Sequence, residues 1–291
     1  AVRGSAEGQG AMTAEGADTL PGALVLGGGL AGAAAAIWLA RAGHRVTLWE
    51  RARTPQHKIC GEFLSWEAQA YLKDLGLDLA ALGAVPITRV RLVTAARTAA
   101  GPLGFTARSL TRRTLDAALL DRAEAAGVTV GRGVTAADVS ADGTVRAGQQ
   151  AVRPERLLLA TGKHNLRGTE RRDPDPRLAR AEGNELGFKS YFRLAPAARA
   201  ALAGHVELYL FQGGYAGLQL VERDAANLCF LVDAARYQRC GGDFAALLAD
   251  LGAELPALAE RLAGAVPLLD RPLAISAVPY GFLHRPGRTG G

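Results

Sequence analysis

Cysteine is scarce in this chain, with three in 291 residues, at Cys60, Cys229 and Cys240. An odd number at distant positions excludes a disulfide framework and fits a reducing compartment, so a cytoplasmic location is expected. His57 and Cys60 stand three apart without further ligands near them in sequence, which argues against zinc, and no metal is expected. Lysine is rare too, confined to Lys58, Lys73, Lys163 and Lys189, and the net charge of +6 rests on arginines scattered along the chain. Aromatics make up 6% of residues and no basic run is interleaved with them, so no nucleic-acid partner is expected. A secretory signal is also missing, because no charged segment leads into an apolar one at the N-terminus. What remains is ordinary globular composition, 49% hydrophobic and 21% charged, long enough for one large domain or two smaller ones.

One stretch stands out. From Thr19 to Ala40 there is no charged residue, a length that approaches a membrane span. Its texture excludes that reading, since Gly27, Gly28, Gly29 and Gly32 crowd its first half and no aromatic belts mark two interfaces. Read otherwise, Ala23-Leu24-Val25-Leu26 is a buried parallel strand and Gly27-x-Gly29-x-x-Gly32 a tight turn. Leu30 to Ala42 is then a helix ended by Gly43, and Arg45 to Trp49 a second strand closed by Glu50. An acid 18 residues beyond the third glycine completes a dinucleotide-binding unit. Gly27 and Gly29 let the backbone approach a pyrophosphate, with Leu30 and Ala31 opening the helix behind them, and Gly32 lets helix pack on strand. Glu50 suits a ribose 2′-hydroxyl and repels a 2′-phosphate. The site is therefore expected to take NAD or the ADP half of FAD.

The rest of the chain predicts helices over Ser65 to Leu75 and Leu110 to Ala126. A short strand, Thr88 to Thr94, turns Arg89 and Arg91 outward from Val90 and Leu92. Strands over Val128 to Val130, Thr135 to Ser140 and Thr144 to Ala147 form a small antiparallel meander that returns into Leu157 to Ala160. Four longer alternating strands follow from about Phe188, namely FKSYFRL, HVELYLFQ, YAGLQLVE and NLCFLVD. One amphipathic helix, Asp243 to Leu262, and a last apolar segment, Pro272 to Leu283, complete the pattern. The expected organisation is α/β with an α+β second part. A disordered leader covers 1–20 and a Rossmann-type nucleotide-binding domain 21–172, with a strand near 87–105 lent to the second unit. An antiparallel-sheet substrate domain covers 173–291. Translation is expected to begin at Met12, with residues 1–11 dispensable.

The pieces GGGLAG, Glu50-Arg51, KICGE (58–62), RRTLDAAL (112–119), LLLATG (157–162), GGYAG (213–217) and PYGFLHRP (279–286) together resemble the flavoprotein group of geranylgeranyl reductases and para-hydroxybenzoate hydroxylase-type monooxygenases. The resemblance implies FAD as cofactor and a small-molecule substrate, and leaves the electron donor open, with NAD(P)H as the candidate. It carries cofactor contacts onto Glu50, Arg51, Arg112 and the Ala160-Thr161-Gly162 turn. Arg112 is favoured over Arg113 for the ribityl and phosphate portion. Lys58 either screens the pyrophosphate or is a solvated loop lysine. Cys60 either lies near the flavin ring, as in the reductases, or is a structural thiol. The Gly213 to Gly217 segment is a plain hairpin, or an open sheet edge with Tyr215 and Gly217 on the substrate side.

Two departures matter. Thr161-Gly162-Lys163-His164 lacks the Asp that the hydroxylases carry after their return strand, which favours the reductase branch. The chain also stops before a Gly-Asp segment and helix of the group, so it is expected to be truncated. A monooxygenase acting on an aromatic or polyketide-like compound, and a non-catalytic nucleotide-binding module, are the alternatives. No membrane span is expected, while peripheral membrane contact and oligomeric state stay open, and no catalytic side chain is assigned.

Overall fold

The computed structural model describes residues 17–163, 166–169 and 185–276. The expectations for residues 1–16, for Met12, for the apolar segment beyond residue 276 and for PYGFLHRP lie outside the described residues. The first part of the chain runs β1 (Asp18–Leu26), α1 (Leu30–Arg41), β2 (Val46–Glu50), β3 (Phe63–Leu64), α2 (Trp66–Asp74), β4 (Val85–Val93), β5 (Thr98–Ser109) and α3 (Arg112–Ala125). Then come β6 (Thr129–Arg132), β7 (Asp138–Val139), β8 (Val145–Ala147), β9 (Gln150–Leu159) and β10 (Glu185–Arg193). The remainder is α4 (Pro196–Leu202), β11 (His205–Phe211), β12 (Gly214–Leu220), β13 (Ala226–Asp233), α5 (Ala234–Arg239), α6 (Phe244–Glu254), α7 (Pro256–Leu262), β14 (Val266–Pro267) and β15 (Leu273–Ser276).

The strands form two sheets. The six-stranded one has the order β6-β2-β1-β9-β8-β7, with β6, β2, β1 and β9 parallel and the β9-β8-β7 end antiparallel. One face carries α1 and α3 over Val25, Ile37, Leu48, Leu115 and Leu119. The other carries the β7-β8 turn over Leu24, Leu26, Trp49 and Val145. A sheet covered on both faces needs the near-continuous apolar run that β1 has. The nine-stranded sheet runs β14-β10-β13-β12-β11-β4-β5-β3, with β15 beside β10. Side chains of β10, β12 and β13 alternate between its two faces. Phe188, Phe192, Ala216, Leu218, Leu228 and Phe230 bury one face against Leu247, Leu251 and Leu258 of the helices. The residues between them face the first sheet's loops.

Several expectations change. β1 begins at Asp18, inside the expected leader, because Asp18 to Leu20 pair with Val152 to Pro154 of β9. β6 is not in the meander, since it lies parallel to β2 at the edge of the Rossmann sheet. The single helix from Asp243 to Leu262 is two. Asp243 caps α6 by accepting from Ala246 N–H at 2.7 Å, and Pro256 forces Leu255 out of the helical region (φ −123, ψ 78) and starts α7. β5, with Gly101, Pro102 and Gly104, has no alternation to betray it. In β4 Arg89 is exposed and Val90 half-buried as expected, but Leu92 is 41% exposed and Arg91 turns toward the buried Glu207, beyond a register shift between Ile87 and Arg89.

Glu207 is fully buried. Its carboxylate accepts from Arg91 of the adjoining parallel strand, from Arg261 at 2.8 and 3.1 Å and from the Tyr209 hydroxyl at 2.5 Å. This cluster ties β4, which comes from the first part of the chain, to the second sheet. Glu207→Ala strips the counter-charge from two arginines and should lower unfolding free energy by about 3 to 5 kcal/mol. Urea titration measures it, and a loss under about 1 kcal/mol, the level of an exposed pair, would show the cluster to be energetically idle.

Candidate functional site

The glycine turn is built by close approach. Gly27 has φ +108, and a Cβ there would lie 2.3 Å from the Ala160 carbonyl oxygen, at the end of β9. A Cβ on Gly32 would lie 1.8 Å from the Gly27 oxygen. Gly29 is different, with ordinary extended backbone (φ −78, ψ −171) and a missing Cβ aimed into a crevice whose nearest groups are Arg112 Nη2 at 3.4 Å and Lys58 Nζ at 3.7 Å. α1 starts at Leu30 with no side-chain cap and no acid in its first turn. The N–H groups of Leu30, Ala31 and Gly32 therefore present the positive end of the helix to that crevice.

Glu50 closes the adjoining strand. Its Oε2 accepts from Gly28 N–H at 2.7 Å and its Oε1 from Ala52 N–H at 3.0 Å. Each oxygen keeps a further lone pair for a hydroxyl. Thr54, Gln56, Leu120 and Arg132 line the crevice beyond it, and Arg51 is exposed beside it. Ala160 N–H donates to the Leu26 carbonyl at 2.8 Å, so Ala160, Thr161 and Gly162 (φ +66) sit against the glycine turn. The turn, Glu50, Lys58, Arg112 and the β9 end are thus brought together.

Arg112 and Arg113 separate cleanly. Arg113 is exposed, whereas Arg112 is bound to Asp116 one turn along α3 through Nε at 2.8 Å and Nη2 at 3.0 Å. Burial works against the Arg112 charge, but Asp116 and the Cys60 sulfur outweigh it and hold the guanidinium protonated. Lys58 is not a free loop lysine, since its ammonium lies 2.9 Å from the second oxygen of Asp116. One buried carboxylate thereby aims two cations at the space in front of Gly29. Cys60 lies on the other side of Arg112, and its sulfur accepts from Glu62 N–H at 3.4 Å.

Residues that sequence reasoning missed hold this loop from below. Glu62, at φ 62, takes three donors on Oε1, namely Arg112 N–H at 2.7 Å, the Tyr191 hydroxyl at 2.7 Å and the Lys189 ammonium at 2.5 Å. Tyr191 spends its one proton on Glu62, so His57, 3.1 Å away through Nδ1, donates to the phenol oxygen, which fixes the Nδ1–H tautomer. Burial first, then Lys189 and Arg113, lower the His57 pKa and keep the ring neutral. Gln219 and Asn227 each donate to the Gly61 carbonyl at 2.9 Å. The available signal was alternation, because β10 places Lys189 and Tyr191 on the face opposite Phe188 and Phe192, in the middle of a buried strand.

The hairpin glycines divide. Gly213 (φ +77) would put a Cβ 2.4 Å from Asp233 Oδ2, and Gly214 one 2.1 Å from the Leu231 carbonyl. Turn and packing account for both. Gly217 has no such neighbour, its nearest atoms lying 3.8 Å away. It sits in a cross-strand row Leu92–Leu208–Gly217–Cys229–Lys189, a notch among larger side chains. Tyr215 and Leu210, paired with each other at the next loop-facing position, are 48% and 45% exposed. Burial pushes the Cys229 thiol up to about 11, which leaves it a poor nucleophile at neutral pH. No group of metal-ligating side chains occurs among the described residues, and no described helix is long and apolar enough to cross a membrane.

Comparison with known proteins bears on the nucleotide-binding domain and on the fold. Residues 25–82 match the family model of an NAD(P)-binding Rossmann-like domain. A 54-residue stretch, 19% of the chain, is 46% identical to a menaquinone reductase of Mycolicibacterium smegmatis and spans 13% of that protein. Among solved structures, the myxobacterial chondrochloren halogenase CndH, described as a variant of FAD-dependent halogenases, superposes with a TM-score of 0.71. Identity is 20%, over 89% of this chain and 64% of that one. A flavoprotein/dehydrogenase from Cytophaga hutchinsonii gives 0.69 at 16% identity over 88% and 66%. Halogenase PltM in complex with phloroglucinol and FAD gives 0.64 at 14% over 88% and 59%. The chain therefore spans a small part of the curated reductase and about two thirds of these structures, and it shares their mixed α/β fold of a Rossmann-type sheet joined to a large, mainly antiparallel one.

Proposed function

We propose that this chain carries the cofactor-binding part of an FAD-dependent oxidoreductase, similar to the geranylgeranyl reductase group, that reduces a double bond in an apolar small molecule with NAD(P)H as electron donor. The observation that carries the reading is the crevice in front of Gly29. An uncapped helix N-terminus and two cations oriented by one buried Asp face the space that a single methyl would fill. That set fits a pyrophosphate, with Glu50 placed for the adenosine ribose. A plain NAD site would need only the turn and the acid. The paired Arg112 and Lys58, and the second sheet's face beyond them, favour the longer flavin dinucleotide. The likeness to a menaquinone reductase over 54 residues and to a flavoprotein/dehydrogenase supports the reductase branch.

A bound flavin supplies the electron-transfer chemistry, and the protein's part is placement and electrostatics. Leu30, Ala31 and Gly32 N–H groups hold the pyrophosphate, and Arg112 screens its charge while Asp116 keeps the guanidinium from swinging away. Leu92, Leu210 and Tyr215 form an exposed apolar shelf around the Gly217 notch, suited to a hydrophobic substrate. His57 holds its proton on Nδ1 toward the Tyr191 oxygen, and the Tyr191 hydroxyl donates its own to Glu62 Oε1.

Gly29→Ala should fold and lose nucleotide, whereas Gly32→Ala, whose methyl would meet a backbone oxygen, should fail to fold. Calorimetric titration of ADP and FAD, with circular dichroism alongside, separates the two. Undiminished FAD affinity in the Gly29 variant would refute the cradle. Glu50→Ala should weaken both ligands by about 1.5 to 3 kcal/mol, as for a hydrogen bond to a charged group, and NAD binding with no FAD binding would replace the cofactor assignment.

Tyr215→Leu and Gly217→Val should leave FAD affinity unchanged and alter turnover or substrate preference. Equal kinetics in both would return the shelf to plain structure. Oxygen consumption coupled to hydroxylated product would put a monooxygenase in place of the reductase. Flavin that NAD(P)H and dithionite both leave oxidised would point to a non-catalytic module.

A further inference from the structure

The segment 58–62 belongs by sequence to the Rossmann part, yet the second sheet holds it. Lys189 donates to the Lys58 carbonyl at 3.1 Å and meets Glu62 Oε1 at 2.5 Å. Asn227, Gln219 and Tyr191 bind Gly61 and Glu62 from the same sheet face. The Lys189 and Glu62 side chains are both wholly buried, and Glu62 Oε2 has no hydrogen-bond partner. Burial pushes the Glu62 carboxyl up and the Lys189 ammonium down, and each restrains the other's shift. A buried ion pair with an unpaired oxygen is a poor way to stabilise a fold, since apolar side chains of similar volume do so as well or better. Its geometry has a different consequence. The pair fixes the backbone of Lys58 at its carbonyl and the backbone of Arg112 at its N–H, and the side chains of those two residues flank Gly29.

We infer that Lys189 and Glu62 are positioning residues, a buried pair through which the substrate-side sheet sets the affinity of the nucleotide crevice by fixing Lys58 and Arg112. The inference rests on the nucleotide reading above and adds a coupling that the glycine turn alone does not contain. Lys189 stands next to Cys229 and two strands from the Gly217 notch. Whatever presses on that row presses on the clamp.

The test uses the full chain as Lys189→Met, Glu62→Gln and the double variant Glu62→Gln/Lys189→Met. Each is measured by thermal melting, ADP calorimetry and amide hydrogen exchange. Either single change unbalances a buried charge and lowers the melting temperature, and a single variant that does not fold is superseded by the double one. The double variant removes both charges, so its melting temperature should return to near that of the unaltered protein. Its ADP affinity should stay reduced by about tenfold, and exchange should stay raised over 57–62 and the first turn of α3. ADP affinity and exchange that recover together with the melting temperature would reduce the pair to a structural element and overturn the proposal. An unaltered protein that does not bind ADP would overturn the nucleotide reading itself, and with it the claimed effect on affinity.

Discussion

A carbonyl oxygen stands 1.8 Å from where the β-carbon of residue 32 would be, and much of the first domain follows from that approach. Because Gly32 has no side chain, α1 can begin directly above the end of β1, which leaves its first N–H groups over the edge of the parallel sheet. The next strand ends at the same level, so Glu50 reaches back to Gly28 N–H and pins the turn from the side. The resulting concavity carries positive potential from a helix end and two cations. The nearest carboxylates, Glu50 and Asp116, are both already engaged with protein donors. A phosphate there meets donors without a competing free anion.

The second helix on that face has the opposite treatment. At the start of α3, Thr111 N–H donates to Glu222 at 3.0 Å, Arg112 N–H donates to Glu62 at 2.7 Å, and the Thr111 and Thr114 hydroxyls donate to Glu222 as well. Hydrogen bonds from Thr111 and Thr114 outweigh burial and hold the Glu222 carboxyl below its usual range. Glu222 itself sits in a tight turn where Arg223 (φ 60) and Asp224 (φ 57) take left-handed backbone. Two helix ends therefore face one region, one open to anions and the other closed by carboxylates from distant parts of the chain. That asymmetry gives the crevice a direction and leaves α3 free to serve as a rigid mount for Arg112 and Asp116.

What the sequence made legible follows the range of the contacts. The strand, turn, helix and acid unit is local, and its helix and second strand fall within one residue of those observed, whereas β1 starts at Asp18, well before the expected Ala23, because its first residues pair with the distant β9. α2 and α3 were equally readable, because Ser65 and Thr111 cap them through their own side chains. The alternation of β10 to β13 also announced the second sheet. The failures are non-local. Arg91 departs from expectation because it pairs with Glu207, a buried carboxylate on a strand distant in sequence. Lys189 and Glu62 lie 127 positions apart in numbering (189 less 62), and only the docking of two sheets brings them together. The Leu255-Pro256 break was written plainly in the sequence, and the apolar periodicity running across it hid it.

The second sheet shows why a site of this kind divides between local and distant residues. Its helix-covered face is mainly apolar and excludes water, apart from the Glu207 cluster that Arg261 of α7 reaches. Its opposite face changes character along the row from Leu92 through Gly217 to Lys189, from exposed aliphatic, to a notch, to a thiol, to a buried ammonium. An apolar end and a charged end on one row of Cβ positions impose an orientation on anything lying across it. The charged end is the one joined to the loop at the glycine turn. Composition cannot encode such a gradient, since it requires five strands in fixed register. The residue whose substitution should disturb it most is the smallest, because a Cβ on Gly217 would meet its nearest neighbours only at 3.8 Å, so a side chain can enter the notch.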